Sequence, residues 1–185
     1  MKLILSKIKT YFGKLDKLLL FMCMGIACFA VFIQYTLYEN DISSAVTASQ
    51  YKTQIIAFIA GIVIAMALAA INYKYLAKLW FIYVPLAMGL TLLLFTPLGI
   101  QREGADDIGW LDLGIMTIQP SEILKLAFIL SLAVHLSKVE DRMNEPIHFI
   151  LLCIHGAIPT LLIRQTGDDG SALVFLFIFI CMMFA

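Results

Sequence analysis

Six long apolar runs limit what this chain can fold into. They lie at about Leu18–Tyr38, Gln54–Ile71, Leu79–Thr96, Pro120–Leu136, Ile147–Ile163 and Ser171–Ala185. A bilayer core about 30 Å thick is crossed by roughly 20 helical residues, and most of these runs have that length. Backbone groups in lipid must bond internally, so a spanning segment is a helix or part of a closed barrel. The runs are continuous rather than alternating, which excludes the barrel. With 62% hydrophobic and 14% charged residues the chain lies outside the range of soluble domains. The expected fold is therefore all-α, a polytopic transmembrane helix bundle forming one membrane domain over residues 1–185.

The first run could imitate a secretory signal, since Lys2, Lys7, Lys9, Lys14 and Lys17 precede it. A signal core is only about 7–15 residues long, and this run is longer, so it reads as a first transmembrane helix. The last run stops at Ala185 while still apolar and without a flanking anchor, which makes the chain look like part of a larger protein. Pro85 and Pro159 fall inside runs three and five, where prolines kink membrane helices and can open a polar niche.

Charge placement gives an orientation. One side holds the five N-terminal lysines with Lys74, Lys78, Lys138 and Arg142; the other holds Lys52, Arg102 and Arg164. Positively charged loops stay inside, so the N-terminus is expected to be cytoplasmic. Most acids collect outside, among them Asp106, Asp107, Asp112, Asp168 and Asp169. A net charge of +0 argues against a nucleic-acid partner.

The outer loop from Pro97 to Gln119 is the longest connection. Its first half, GIQREGADD, is charged; its second half, IGWLDLGIMTIQ, alternates at Trp110, Leu111, Leu113, Ile115 and Ile118. An extended segment at the membrane interface is expected there, with Trp110 as its amphipathic anchor. Pro120 then opens the fourth helix at a position where its missing N–H is harmless. Glu122 faces the positive end of that helix, and Lys125 follows at i+3 on the same face. Two readings stand. Lys125 snorkels to the interface beside a helix-start acid, or both residues line a polar cavity in the bundle interior.

The stretch WLDLGIMTIQPSEILKLA resembles the signature region of the shape, elongation, division and sporulation proteins, the RodA/FtsW/SpoVE family. Trp110, Gly114, Gln119, Pro120, Ser121, Glu122 and Lys125 match its pattern of a Trp–Gly loop followed by Q-P-S-E-x-x-K. TGDDGSALV echoes a second family stretch, with Asp168, Gly170, Ser171, Ala172 and Leu173 in place. The sequence departs from the pattern at Gly109, where the family usually has an arginine, and at Thr166-Gly167, which replace Gln-Pro.

The resemblance implies about six helices of a bundle of about ten, in the cytoplasmic membrane of a bacterium. The implied activity is peptidoglycan glycosyl transfer, with lipid II as substrate and undecaprenyl diphosphate as leaving group. A class B penicillin-binding protein is the implied partner, in a setting of membrane lipid. A divalent cation is the implied aid to the diphosphate, with no metal ligands identifiable in this chain. The implied cavity residues are Glu122, Lys125, Trp110, Gln119, Ser121 and Asp168, with Asp168 in a supporting role. The catalytic base is expected beyond Ala185. Two other classes remain as alternatives: a flippase or transporter of a lipid-linked precursor, and a non-catalytic membrane fragment.

Other candidates have plainer readings. Cys23, Cys28, Cys153 and Cys181 form no metal-ligand spacing and read as small apolar core residues. Asp106-Asp107 and Asp168-Asp169 read mainly as solvated acids. His148 and His155 share a helix face, for which an interior hydrogen bond or an interfacial position is expected rather than a metal. His135, close to a helix end, is expected to complement the dipole.

Overall fold

The computed structural model describes residues 16–40, 48–71, 73–102, 104–114, 117–143 and 145–184. The lysines before Asp16, together with Asp41, Glu103, Ile115 and Ala185, lie outside the described residues. The contacts group into two compact units, Met1–Asn72 and Tyr73–Ala185.

The first unit contains α1 (Lys17–Glu39) and α2 (Ala48–Ala70). Asp16 starts α1: its carboxylate accepts from Leu19 N at 3.0 Å and satisfies one of the free amides of the first turn. At the other end Asn40 donates from its backbone and its side chain to the Thr36 carbonyl, at 3.2 and 2.8 Å. Tyr51 of α2 lies against two rings of α1, stacked on Tyr38 with centroids 6.2 Å apart and tilted against Tyr35 at 5.6 Å. Nothing in α1 is buried, and Phe21, Ile26, Phe29 and Phe32 each expose more than half their surface. In water such a face would be costly, whereas in lipid it is the ordinary state of a membrane helix.

The second unit begins with the short α3 (Tyr73–Lys78) and α4 (Trp80–Leu92), which tightens into a 3-10 turn at Leu93–Phe95. A small antiparallel sheet follows: β1 (Gly99–Ile100), β2 (Trp110–Asp112) and β3 (Thr117–Ile118), in the order β1-β2-β3. Then come α5 (Pro120–Val139), α6 (Pro146–Gln165) and α7 (Asp169–Met183). Pro120 and Pro146 each sit in the first turn of their helix, and Asp168 caps α7 by accepting from Ser171 N at 2.8 Å.

Helices α1, α2 and α6 are long and apolar enough to cross a membrane; α4 with its 3-10 turn and α7 are shorter apolar helices. Helix α5 has 20 residues like α6 but carries Glu122, Lys125 and Lys138. Pro85 and Pro159 lie inside α4 and α6, as their positions in the apolar runs suggest.

The core of this unit joins α4 to α7 through Ala87, Leu124, Phe128, Leu132, Leu152 and Phe175. Phe128 and Phe175 meet with centroids 5.5 Å apart. Thr91 is fully buried and donates to the Ala87 carbonyl at 2.9 Å, so its hydroxyl is satisfied inside its own helix. The cysteines correct their expectation. Cys23, Cys28 and Cys181 lie exposed on apolar helix faces and Cys153 is half-buried, because a small apolar side chain is as acceptable against lipid as in a core.

Candidate functional site

The sequence-marked residues gather at the Glu122 end of the second unit, and the sheet organises them. Leu111 is the pivot: it pairs with Gly99 on one side and Ile118 on the other, and is fully buried. Trp110 opposes Ile100, and Asp112 opposes Thr117. Asp112 N donates to the Leu98 carbonyl at 2.9 Å and extends the ladder. The turn after β2 needs a left-handed residue, supplied by Gly114 at φ 79°, whose amide donates to the Asp112 carboxylate at 2.8 Å. The extended segment expected around Trp110 is therefore present as two strands. The first strand lies in the charged half of the loop, where no alternation announced it.

Arg102 is the residue that sequence reasoning left unassigned. Its guanidinium carbon sits 3.5 Å from the centroid of the Trp110 ring, a close cation–π contact. The position before Trp110 is Gly109, buried, and a Cβ built there meets the Asp107 carboxylate and lies 3.9 Å from Gln119 Nε2. Positive charge at this tryptophan thus comes from the loop after β1.

Glu122 and Lys125 form the expected pair, with Lys125 Nζ 2.6 Å from Glu122 Oε1. The Lys125 side chain keeps 19% of its exposure and Glu122 keeps 59%; the lysine is the better-enclosed partner. Ser121 is buried, and its hydroxyl has no hydrogen-bond partner among the described residues. Gln119 is half-buried at the N-cap of α5, with no side-chain cap bond. The loop is fastened to the α6–α7 turn: Ile108 N donates to the Thr166 carbonyl at 2.9 Å. Gly167, at φ 87°, leaves room where a Cβ would stand 3.3 Å from Asp107 Cα. Asp168 belongs to that turn, but its Oδ1 is held by Ser171 N. Asp169 makes a looser contact with Arg164, at 3.7 Å.

The chemistry this end can perform is recognition of an anionic group beside an amphipathic one. Arg102 stands over an indole there, and Lys125 is held by a carboxylate. No three His, Cys, Asp or Glu residues converge among the described residues, and Glu122, Asp112 and Asp168 are each already engaged.

Two cavities of the second unit lie among α4, α5 and α6. One of about 340 Å³ is lined by Val84, Leu124, Phe128, Ser131, His155 and Pro159, among others, but by neither Glu122 nor Lys125. Its Ser131 and His155 belong to a chain across two helices: Ser131 Oγ lies 3.0 Å from His155 Nε2, and His155 Nδ1 lies 3.0 Å from His135 Nδ1. His155 thus makes the interior hydrogen bond expected of it, and His148 stays near the helix start, 3.3 Å from Glu145. His135 differs from expectation: its ring turns to His155 rather than to the helix end.

The profile of the cell cycle protein family FtsW/RodA/SpoVE matches residues 14–185. The chain belongs to that family. A probable peptidoglycan glycosyltransferase FtsW from Geobacter sp. (strain M18) is 31% identical over 183 residues, covering 92% of this chain and 47% of the relative. The peptidoglycan glycosyltransferase RodA of Treponema pallidum is 28% identical over 173 residues, with 91% and 38% covered. The chain thus spans about half the length, or less, of the curated relatives it matches.

Two solved structures share the fold. One, described as structural coordination of polymerization and crosslinking by a peptidoglycan synthase complex, superposes with a TM-score of 0.68 at 23% identity, over 85% of this chain and 44% of that one. The rod shape determining protein RodA of Thermus thermophilus gives 0.61 at 24% identity, over 82% and 49%. This family membership and the apolar helices make the chain a membrane protein.

Proposed function

We propose that this chain forms part of a peptidoglycan glycosyltransferase, a multi-pass protein of the bacterial cytoplasmic membrane that extends glycan strands from lipid II at the outer face. The observation that carries the reading is the Glu122–Lys125 pair, one turn into α5, in a chain whose relatives are named for that activity. Lipid II brings a diphosphate to the membrane surface, and its loss with the undecaprenyl chain is the step that builds up negative charge. Lys125 is a compact charge on a flexible stem. At an effective dielectric near 20, a unit charge about 4 Å away is worth about 4 kcal/mol, so one ammonium matters to such a leaving group.

Glu122 keeps Lys125 oriented while the site is empty and is itself stabilised by the start of α5. When a diphosphate arrives, the ammonium exchanges one anion for another. Arg102 on Trp110 offers a flat cation beside an apolar surface, suited to the region where a sugar phosphate meets the lipid headgroups. Asp168 serves the architecture of α7, its Oδ1 accepting from Ser171 N at the start of that helix. A monofunctional transpeptidase, a class B penicillin-binding protein, is the partner this reading entails.

The test is Lys125→Ala in the chromosomal copy, with membrane abundance followed alongside growth. Growth is expected to fail while the protein still reaches the membrane, and the purified whole glycosyltransferase carrying the change should lose at least about tenfold in glycan ladder from lipid II, the factor for roughly 1.4 kcal/mol. Normal growth and an undiminished ladder would return Lys125 to a snorkelling role. Transport of lipid II across liposomes without any ladder from the unaltered protein would favour a transporter instead.

A further inference from the structure

The Ser131–His155–His135 chain takes no part in the outer-end chemistry and calls for its own account. The two ring centroids are 5.3 Å apart with planes at 28°, about the largest separation that a 3.0 Å contact between ring nitrogens permits. The two Nδ1 atoms therefore face each other along the line joining the rings. Neutral imidazoles hold that contact only when one Nδ1 carries a hydrogen and the other a lone pair.

The hydrogens then have two possible directions. In one, Ser131 donates to the Phe128 carbonyl, 3.1 Å away, and the hydrogens run from His135 towards Ser131. In the other, Ser131 donates to His155 Nε2 and His155 Nδ1–H donates to His135 Nδ1. His135 Nε2–H is then free to donate outwards. That nitrogen has no partner among the described residues and is not sealed from its surroundings.

Beside it lies a second cavity, of about 230 Å³, lined by Trp80, Val134 and Lys138 together with the three members of the chain. Lys138 is exposed, its Nζ 5.7 Å from the centroid of Trp80. Among the described residues no carboxylate lines this cavity. Phe81 and Ile82, which follow Trp80 on α4, are more than half exposed.

We propose that this cavity holds the phosphate of an anionic bilayer lipid, with Lys138 supplying the charge and His135 Nε2–H a directed hydrogen bond. A phosphate oxygen is an acceptor, so its arrival selects the outward direction of the chain. Each bond then polarises the next, and the anion gains a strengthened donor without a buried cation. Ser131 and His155 are positioning residues: they fix which tautomer of His135 is available. A lipid rather than a free anion fits because an indole and a lysine at a helix end mark headgroup level, and the exposed apolar flank of α4 offers a path for acyl chains. Basic pockets between membrane helices are recognised headgroup sites. The proposal is independent of the activity at the Glu122 end.

The full chain in nanodiscs tests it, in phosphatidylcholine alone and in equal parts of phosphatidylcholine and phosphatidylglycerol. Native mass spectrometry is expected to find phosphatidylglycerol retained over phosphatidylcholine by about fivefold, the factor for one lysine near an anionic surface. Lys138→Gln, an exposed position whose change leaves the core intact, should abolish that preference. Nitrogen-15 spectra of the three histidines, assigned through His148→Asn and His135→Asn, should show His135 Nε2 gaining its hydrogen only with phosphatidylglycerol. An unchanged preference in Lys138→Gln would overturn the proposal. The same spectral change from inorganic phosphate in phosphatidylcholine discs would overturn the lipid as its source.

Discussion

Gly99 has no room for a methyl group. A Cβ there would meet the backbone carbonyl of Leu94 and lie 2.9 Å from the Ile108 side chain. Backbone does not step aside as a flexible side chain does, so Gly99→Ala is expected to destabilise by about 1–3 kcal/mol. A lowered thermal midpoint in detergent would show it; an unchanged one would mean that β1 can shift without cost. Residue-scale features of this kind divide by how local they are. Glu122 and Lys125 were legible because i,i+3 spacing on one helix fixes their proximity. Arg102 on Trp110 was not, since the sheet register that joins them is set by strands of two or three residues. Ser131 and His155 are 24 positions apart on different helices, and no spacing within either helix brings them together.

Elements pack through particular side chains, and α6 packs against Phe179 of α7 at Gly156. A Cβ on Gly156 would stand 2.6 Å from the Phe179 ring. Small residues at such crossings let membrane helices approach. Gly156→Ala should push the ring aside and cost about 1–3 kcal/mol. Phe179→Leu placed on top of it should recover part of that loss, and thermal unfolding of the two variants against the parent checks it. No recovery would assign the loss to the α6 backbone instead. The helices themselves were readable from hydrophobicity, since a run of apolar residues in lipid has one way to satisfy its backbone. Pro120 fixed the start of α5 to the residue, while α6 begins at Pro146, one residue before the apolar run read from Ile147. The sheet was readable only where alternation was long enough to register, at β2 and β3.

For the molecule as a whole, the charge count makes a prediction about sidedness. In a background without the four native cysteines, Ala105→Cys is expected to react with an impermeant maleimide from outside intact cells, and Asp141→Cys only after permeabilisation. Reaction at position 141 in intact cells would reverse the orientation. The family was legible in QPSEILK and its loop because those residues are contiguous. The polar chain within the second unit was hidden, because its members come from separate helices. The outer loop adds a consequence of its own. Ile108 is latched to Thr166, and Asp107 rests on Gly167, so the tryptophan hairpin is tied through its backbone to the turn that starts α7. A residue inserted between Asp107 and Trp110 would therefore have to be absorbed by two distant parts of the chain at once.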